Sequence, residues 1–129
     1  MRQIKELVVI FGLALALPAY AQAPVGPKDE GMGDFFKATL EIDVIASGWS
    51  EKAYLAPDHT FHAVSSDGQV HGTWEVRDGK LCTTAPPAAS DRLQTYCNVG
   101  VGKRIGDAWR DTDPVTGNAV FFRLVAGRD

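Results

Sequence analysis

His59, His62 and His71 are the side chains best suited by type to chemistry, since imidazole is the commonest transition-metal ligand and titrates near neutral pH. On a strand, positions three apart point to opposite faces, so His59 and His62 cannot chelate together. His62 and His71 can. If Asp67-Gly68 forms a two-residue loop, His62 faces Thr73; if Ser66-Asp67 does, His62 faces His71 directly. Both registers put the two imidazoles on one sheet face, opposite Phe61 and Trp74, with Glu75 and Asp58 in possible reach. A metal set of His62, His71 and Glu75 is thus conceivable. Spacing fixes no third ligand, however, as a structural or catalytic zinc site requires. The expected reading is a polar outer surface, with no tightly held metal and no cofactor.

Three other motifs fall short of their chemistry. Asp111-Thr112-Asp113 followed by Gly117-Asn118 has the flavour of a calcium loop, yet Val115 sits where a ligand should and the glycine comes late. Gly100-Val101-Gly102-Lys103 lacks the spacing and the following Ser or Thr of a phosphate-binding loop. No serine lies in a G-x-S-x-G elbow. An enzyme is therefore not expected. Trp49, Tyr54, Trp74 and Trp109 are the candidate lining of an apolar ligand cavity, although the same aromatics would serve to fill a small core.

The elements that must position these side chains read as short strands. Leu40, Ile42 and Val44 alternate with Thr39, Glu41 and Asp43, which marks a half-buried strand. Ser47-Gly48 breaks it, and an extended run resumes over 52–56 before the Pro57-Asp58 turn. Phe61 and Ala63, then Val70, Trp74 and Val76, alternate with polar partners around the Ser65-Ser66-Asp67-Gly68 turn and predict a hairpin. Asp78-Gly79 is a second turn. A two-residue loop and a glycine-bulged loop there place Cys82 on opposite faces, and the sequence leaves both open. Further strands follow over 93–99, around Trp109, and over 119–125. With no amphipathic helix of any length, the expected fold is all-β: a small antiparallel up-and-down barrel of about seven or eight strands.

Met1 to Ala21 has the form of a secretory signal: Arg2 and Lys5, an apolar run over 7–17, then Ala19-Tyr20-Ala21. The apolar run is well short of the ~20 residues that span a bilayer, so no membrane span is expected after cleavage. Removing 1–21 from the 129 residues leaves 108, one small domain. Its charged residues are 11 Lys and Arg against 15 Asp and Glu, without a basic stripe, which argues against nucleic acid. Residues 22–34, rich in Pro and Gly, read as a flexible leader ahead of a single domain over 35–129. Cys82 and Cys97, the only cysteines, are expected to pair in an oxidising compartment, because they lack the C-x-x-C spacing of redox and zinc sites.

Tyr54-Leu55-Ala56-Pro57-Asp58-His59-Thr60-Phe61, Gly72-Thr73-Trp74, Leu81-Cys82 and Tyr96-Cys97 together resemble a group of small secreted bacterial lipocalin-like or streptavidin-like β domains of unknown function. His59 replaces the glycine usual at that turn. The resemblance spans about residues 40–125 and implies a barrel and a periplasmic home; it transfers no catalytic or binding residue. The expected function is that of an exported binding module. It would hold a small apolar ligand in the barrel mouth, or grip a periplasmic protein through loops at 47–51, 86–92 and 111–118. A structural or inhibitor role and a metal-dependent activity at His62 and His71 are the alternatives.

Overall fold

The computed structural model describes residues 29–86, 92–114 and 116–128; the expected signal segment, most of the expected leader and residues 87–91 lie outside them. A 3-10 turn, Gly33–Lys37, precedes eight strands. They are β1 Ala38–Val44, β2 Trp49–Leu55, β3 Thr60–Ser65, β4 Gly68–Arg77, β5 Lys80–Ala85, β6 Gln94–Asn98, β7 Ala108–Thr112 and β8 Ala119–Ala126. The strand order is β6-β5-β4-β3-β2-β1-β8-β7, with each neighbouring pair antiparallel. The first and last strands of the meander therefore meet. No ladder joins β6 to β7 among the described residues, which leaves a nearly closed barrel with one seam. No helix there is long and apolar enough to cross a membrane.

Turn chemistry sets the register. Ser65 pairs with Gly68, so Ser66-Asp67 is the two-residue loop and His62 lies opposite His71. At the second hairpin Arg77 pairs with Lys80, and Asp78 (φ 54°) and Gly79 (φ 75°) take the two left-handed positions that a type I′ turn needs. That settles the face of Cys82. It pairs with outward Glu75 on one side and with Cys97 on the other, and the two cysteines form a disulfide across β5 and β6. The bridge closes a loop of 15 residues, for which chain entropy gives about 3 kcal/mol. Thiol labelling of the oxidised, denatured protein should find no free thiol, and the double variant C82S/C97S should lose roughly 2 to 3 kcal/mol in urea unfolding.

Alternation along each strand sends one set of side chains inward, and most of the buried ones lie toward one end. Leu40, Ala53, Leu55, Phe61, Ala63, Trp74, Leu81, Trp109, Phe122 and Leu124 form the packed half of the interior. Apolar burial at roughly 25 cal/mol per Å² is what holds this half together. Gly72 faces Phe61 across the β3–β4 ladder, where an added Cβ would come within 2.8 Å of the Phe61 ring, so the strand can pass there only without a side chain. Met32 and Phe35 close this end like a plug, at 0% and 1% exposure. Here the expected leader is corrected. Residues 29–34, which by Pro and Gly composition belong to it, include a fully buried methionine and an Asp34 carboxylate that accepts the Ile105 N–H at 2.9 Å. Two apolar side chains and specific hydrogen bonds are enough to order a short segment whose average composition is polar.

Candidate functional site

The residues nominated from sequence are distributed over three regions. His62 and His71 do lie side by side on the outer face, with ring centroids 5.9 Å apart. Tyr54 stacks on His62 at 4.7 Å, and the Arg128 guanidinium covers the Tyr54 ring at 5.7 Å, making a cross-strand aromatic row. Glu75 shares this face, but its carboxylate is held by Arg77. Asp58 turns to Thr60, whose hydroxyl and then amide donate to it and hold its carboxyl below the ordinary value. Among the described residues no three His, Cys, Asp or Glu side chains gather as metal ligands. The structure does not bring Glu75 into a metal set.

The aromatic candidates likewise separate. Trp74 and Trp109 belong to the packed core, Tyr54 lies on the outside wall, and only Trp49 stands half-buried near the barrel's other end. They line no common cavity. Trp74 anchors the plugged end: its indole N–H donates to the Ala56 carbonyl at 2.8 Å, and its ring stacks with His59 (4.2 Å) and meets Phe36 (5.8 Å). His59 holds a left-handed backbone, φ 71°, a conformation that costs an L-residue about 1 kcal/mol. Glycine would adopt this conformation without that cost. What offsets the strain is the imidazole itself, stacked on Trp74 and bonded through Nε2 to Asp29 Oδ2 at 2.6 Å. His59 thereby ties the segment before β1 to the barrel.

Of the nominated site residues only Trp49 lies at the opposite end of the barrel, which the expected partner loops over 47–51 and 111–118 also border. There most inward side chains are half-buried: Ile42 and Val44 from β1, Trp49 and Glu51 from β2, Ser65 from β3, Val70 from β4, Ala85 from β5, Tyr96 from β6 and Asp111 from β7, while Val120 of β8, opposite Val44 and Asp111, is buried. The turns after β1, β3, β5 and β7 surround this mouth. The sequence places Glu51 in a loop over 47–51. The structure starts β2 at Trp49 instead, because Trp49, Glu51, Ala53 and Leu55 alternate inward against Ser50 and Lys52. That alternation is the available signal, masked by an acid at an inward position.

Two features give the mouth its chemistry. Burial pushes the Glu51 carboxyl up to about 7, and no hydrogen bond or ion pair among the described residues offsets its desolvation. In register its neighbours are Ile42 and Ser65, neither charged. The Tyr96 hydroxyl is buried without a hydrogen-bond partner among the described residues, and burial, then the nearby Asp113 and Asp111 carboxylates, push it up to about 12. A carboxyl that titrates near neutrality and an unpaired phenol thus sit between apolar walls. On the outside wall, two shallow depressions of about 360 and 370 Å³ flank Asp43 and Arg123, whose guanidinium pairs with Glu41 at 2.8 Å. The first lies over β7 and β8; the second lies over β1, β2 and β3 and includes Ile42, Glu51 and Ser65 together with Lys52 and Arg123. Comparison with protein-family models, with curated proteins and with solved structures gives no match, so the meaning of this site rests on its own geometry.

Proposed function

We propose that the protein is an exported, lipocalin-like binding module that takes a small, largely apolar ligand into the open end of its barrel. The observation that carries this reading is the difference in burial between the ends: one end is sealed by Met32 and Phe35, while at the other Ile42, Val44, Trp49, Val70 and Ala85 face inward half-buried. Such a cup offers apolar walls and few polar groups, the usual make-up of a small-molecule site. The Cys82–Cys97 bridge suits the oxidising compartment to which a signal segment would deliver the chain. Titration with N-phenyl-1-naphthylamine, an uncharged apolar fluorophore, should give a saturable one-to-one rise in emission. Val70→Trp, which fills the mouth, should abolish it while leaving the near-ultraviolet circular dichroism of a folded barrel. Non-saturable emission, or binding untouched by that substitution, would rule out the mouth as the site.

A protein partner is the second reading, favoured by one observation. Ile45 and Leu93, each 69% exposed, place apolar side chains on the same rim. Exposed apolar side chains next to a concave end are a common basis for protein contact. Charged substitution of both should weaken such a contact and leave the fluorophore titration unchanged.

A further inference from the structure

We propose that the ligand of the open barrel end carries a basic nitrogen, with the Glu51 carboxylate as its anchor. This rests on the binding-module reading above and names the chemical class that the mouth selects. The argument starts from what Glu51 lacks. Its side chain points inward from β2, between Ile42 of β1 and Ser65 of β3, while the adjacent Ser50 and Lys52 point outward. Among the described residues no cation reaches it. A desolvated acid without a partner is costly unless something supplies the missing charge or donor.

The other titratable groups facing inward at this end have the same sign or none. They are Asp111 from β7 and Tyr96 from β6, the latter with its hydroxyl unpaired and with Asp113 nearby. Lys52, Arg110 and Arg123 point outward from their strands, Lys52 and Arg123 sharing an outer depression with the Glu51 position, and Arg92 stands exposed in the loop after β5 at the rim. An incoming ammonium or amidinium group therefore meets acids and a phenol oxygen. Once past the rim, a carboxylate meets only groups of its own sign or neutral ones among the inward-facing side chains. Trp49, half-buried beside Glu51, adds a ring face of the kind that attracts cations. The walls of Ile42, Val44 and Val70 would cover the apolar remainder.

Charge-assisted hydrogen bonding in such a setting separates a protonated amine from its neutral analogue by about ten-fold or more. Ionisation of Glu51 near neutrality makes that preference grow as pH rises through about 7.

The test compares 1-naphthylmethylamine with 1-naphthylmethanol as competitors of bound N-phenyl-1-naphthylamine, at pH 8 and at pH 5.5, on the full chain. The expected result is a preference for the amine of about ten-fold or more at pH 8, reduced at pH 5.5 and lost in Glu51→Gln, with alcohol binding unchanged. Equal competition by both compounds would overturn the basic-nitrogen inference while leaving the barrel-ligand reading intact. Failure of the fluorophore itself to bind would overturn both. If Asp111→Asn removed the preference and Glu51→Gln did not, the anchor would be Asp111 and the assignment to Glu51 would fall.

Discussion

Replacing Glu51 with glutamine should make the protein more stable, and by an amount that depends on pH. The carboxyl is raised from 4.5 to about 7 by burial in the folded chain, so the native state holds a proton that the unfolded state releases. Below pH 4.5 both states are protonated and the substitution should change little. Through the window from 4.5 to 7 the wild type loses stability as pH rises, because the unfolded chain ionises and the folded chain resists. Above pH 7 the difference levels off at about 2 kcal/mol, since each tenfold change in proton affinity is worth about 1.4 kcal/mol and residual solvent screens part of the effect. Urea unfolding of both proteins at pH 4, 6 and 8 reads this directly. A difference that stays flat across those three values would show that Glu51 is solvated. Stability given up at one inward position, at the open end of a barrel, is the kind of cost that binding sites commonly carry.

The second large effect is expected at Trp74. Truncation to alanine removes a side chain only 2% exposed, together with its stacking on His59 and its bond to the Ala56 carbonyl. The loss should be ~3 to 5 kcal/mol, the range for deleting a buried aromatic. Trp74→Phe keeps most of the ring and gives up the N–H bond, so it should cost roughly 1 to 2 kcal/mol. The order of the two variants in thermal unfolding is the check. Because His59 loses its stacking surface in the alanine variant, its strained backbone and its link to Asp29 should loosen as well. Faster hydrogen exchange at Met32 and Phe35, whose amides bond to the Asp29 and Met32 carbonyls, would report that loosening.

What can be read from the chain follows from which interactions are local. Alternation in 40–44 and 70–76 and the two tight turns define strands and faces, since period-two patterning and turn residues act within a few positions. The cross-strand disulfide is expected from the cysteine count and a signal-like amino-terminal segment. By contrast, the loop length at Asp78-Gly79 is decided by the pairing of Arg77 with Lys80, a choice between turns of similar local quality. The order in Asp29–Asp34 comes from long-range burial of Met32, which composition cannot register. Glu51 is hidden for a related reason: an acid in a break between apolar runs looks like loop, and only the β1–β2 register turns it inward. Tyr96 becomes chemically unusual through burial first and then through Asp113 and Asp111, surroundings that only the curvature of the sheet assembles.

The pairing of β1 with β8 sets the order in which this fold can be completed. Strands β2 to β6 join their sequence neighbours through hairpins, so each can form as soon as the next segment is available. The partner of β1 on its other edge is the last strand, and Thr39 donates to the Gly127 carbonyl across a separation of 88 residues. Closing so long a loop carries an entropic barrier that local hairpins do not face, and it slows folding. Until β8 arrives, one edge of β1 stands open, with Leu40 and Ile42 uncovered on the side that will become interior. A chain emerging from its amino end would pass through a sheet that is fully hairpinned and still unrolled, exposed to pairing with its own copies. The step that makes a barrel from that sheet is the last one.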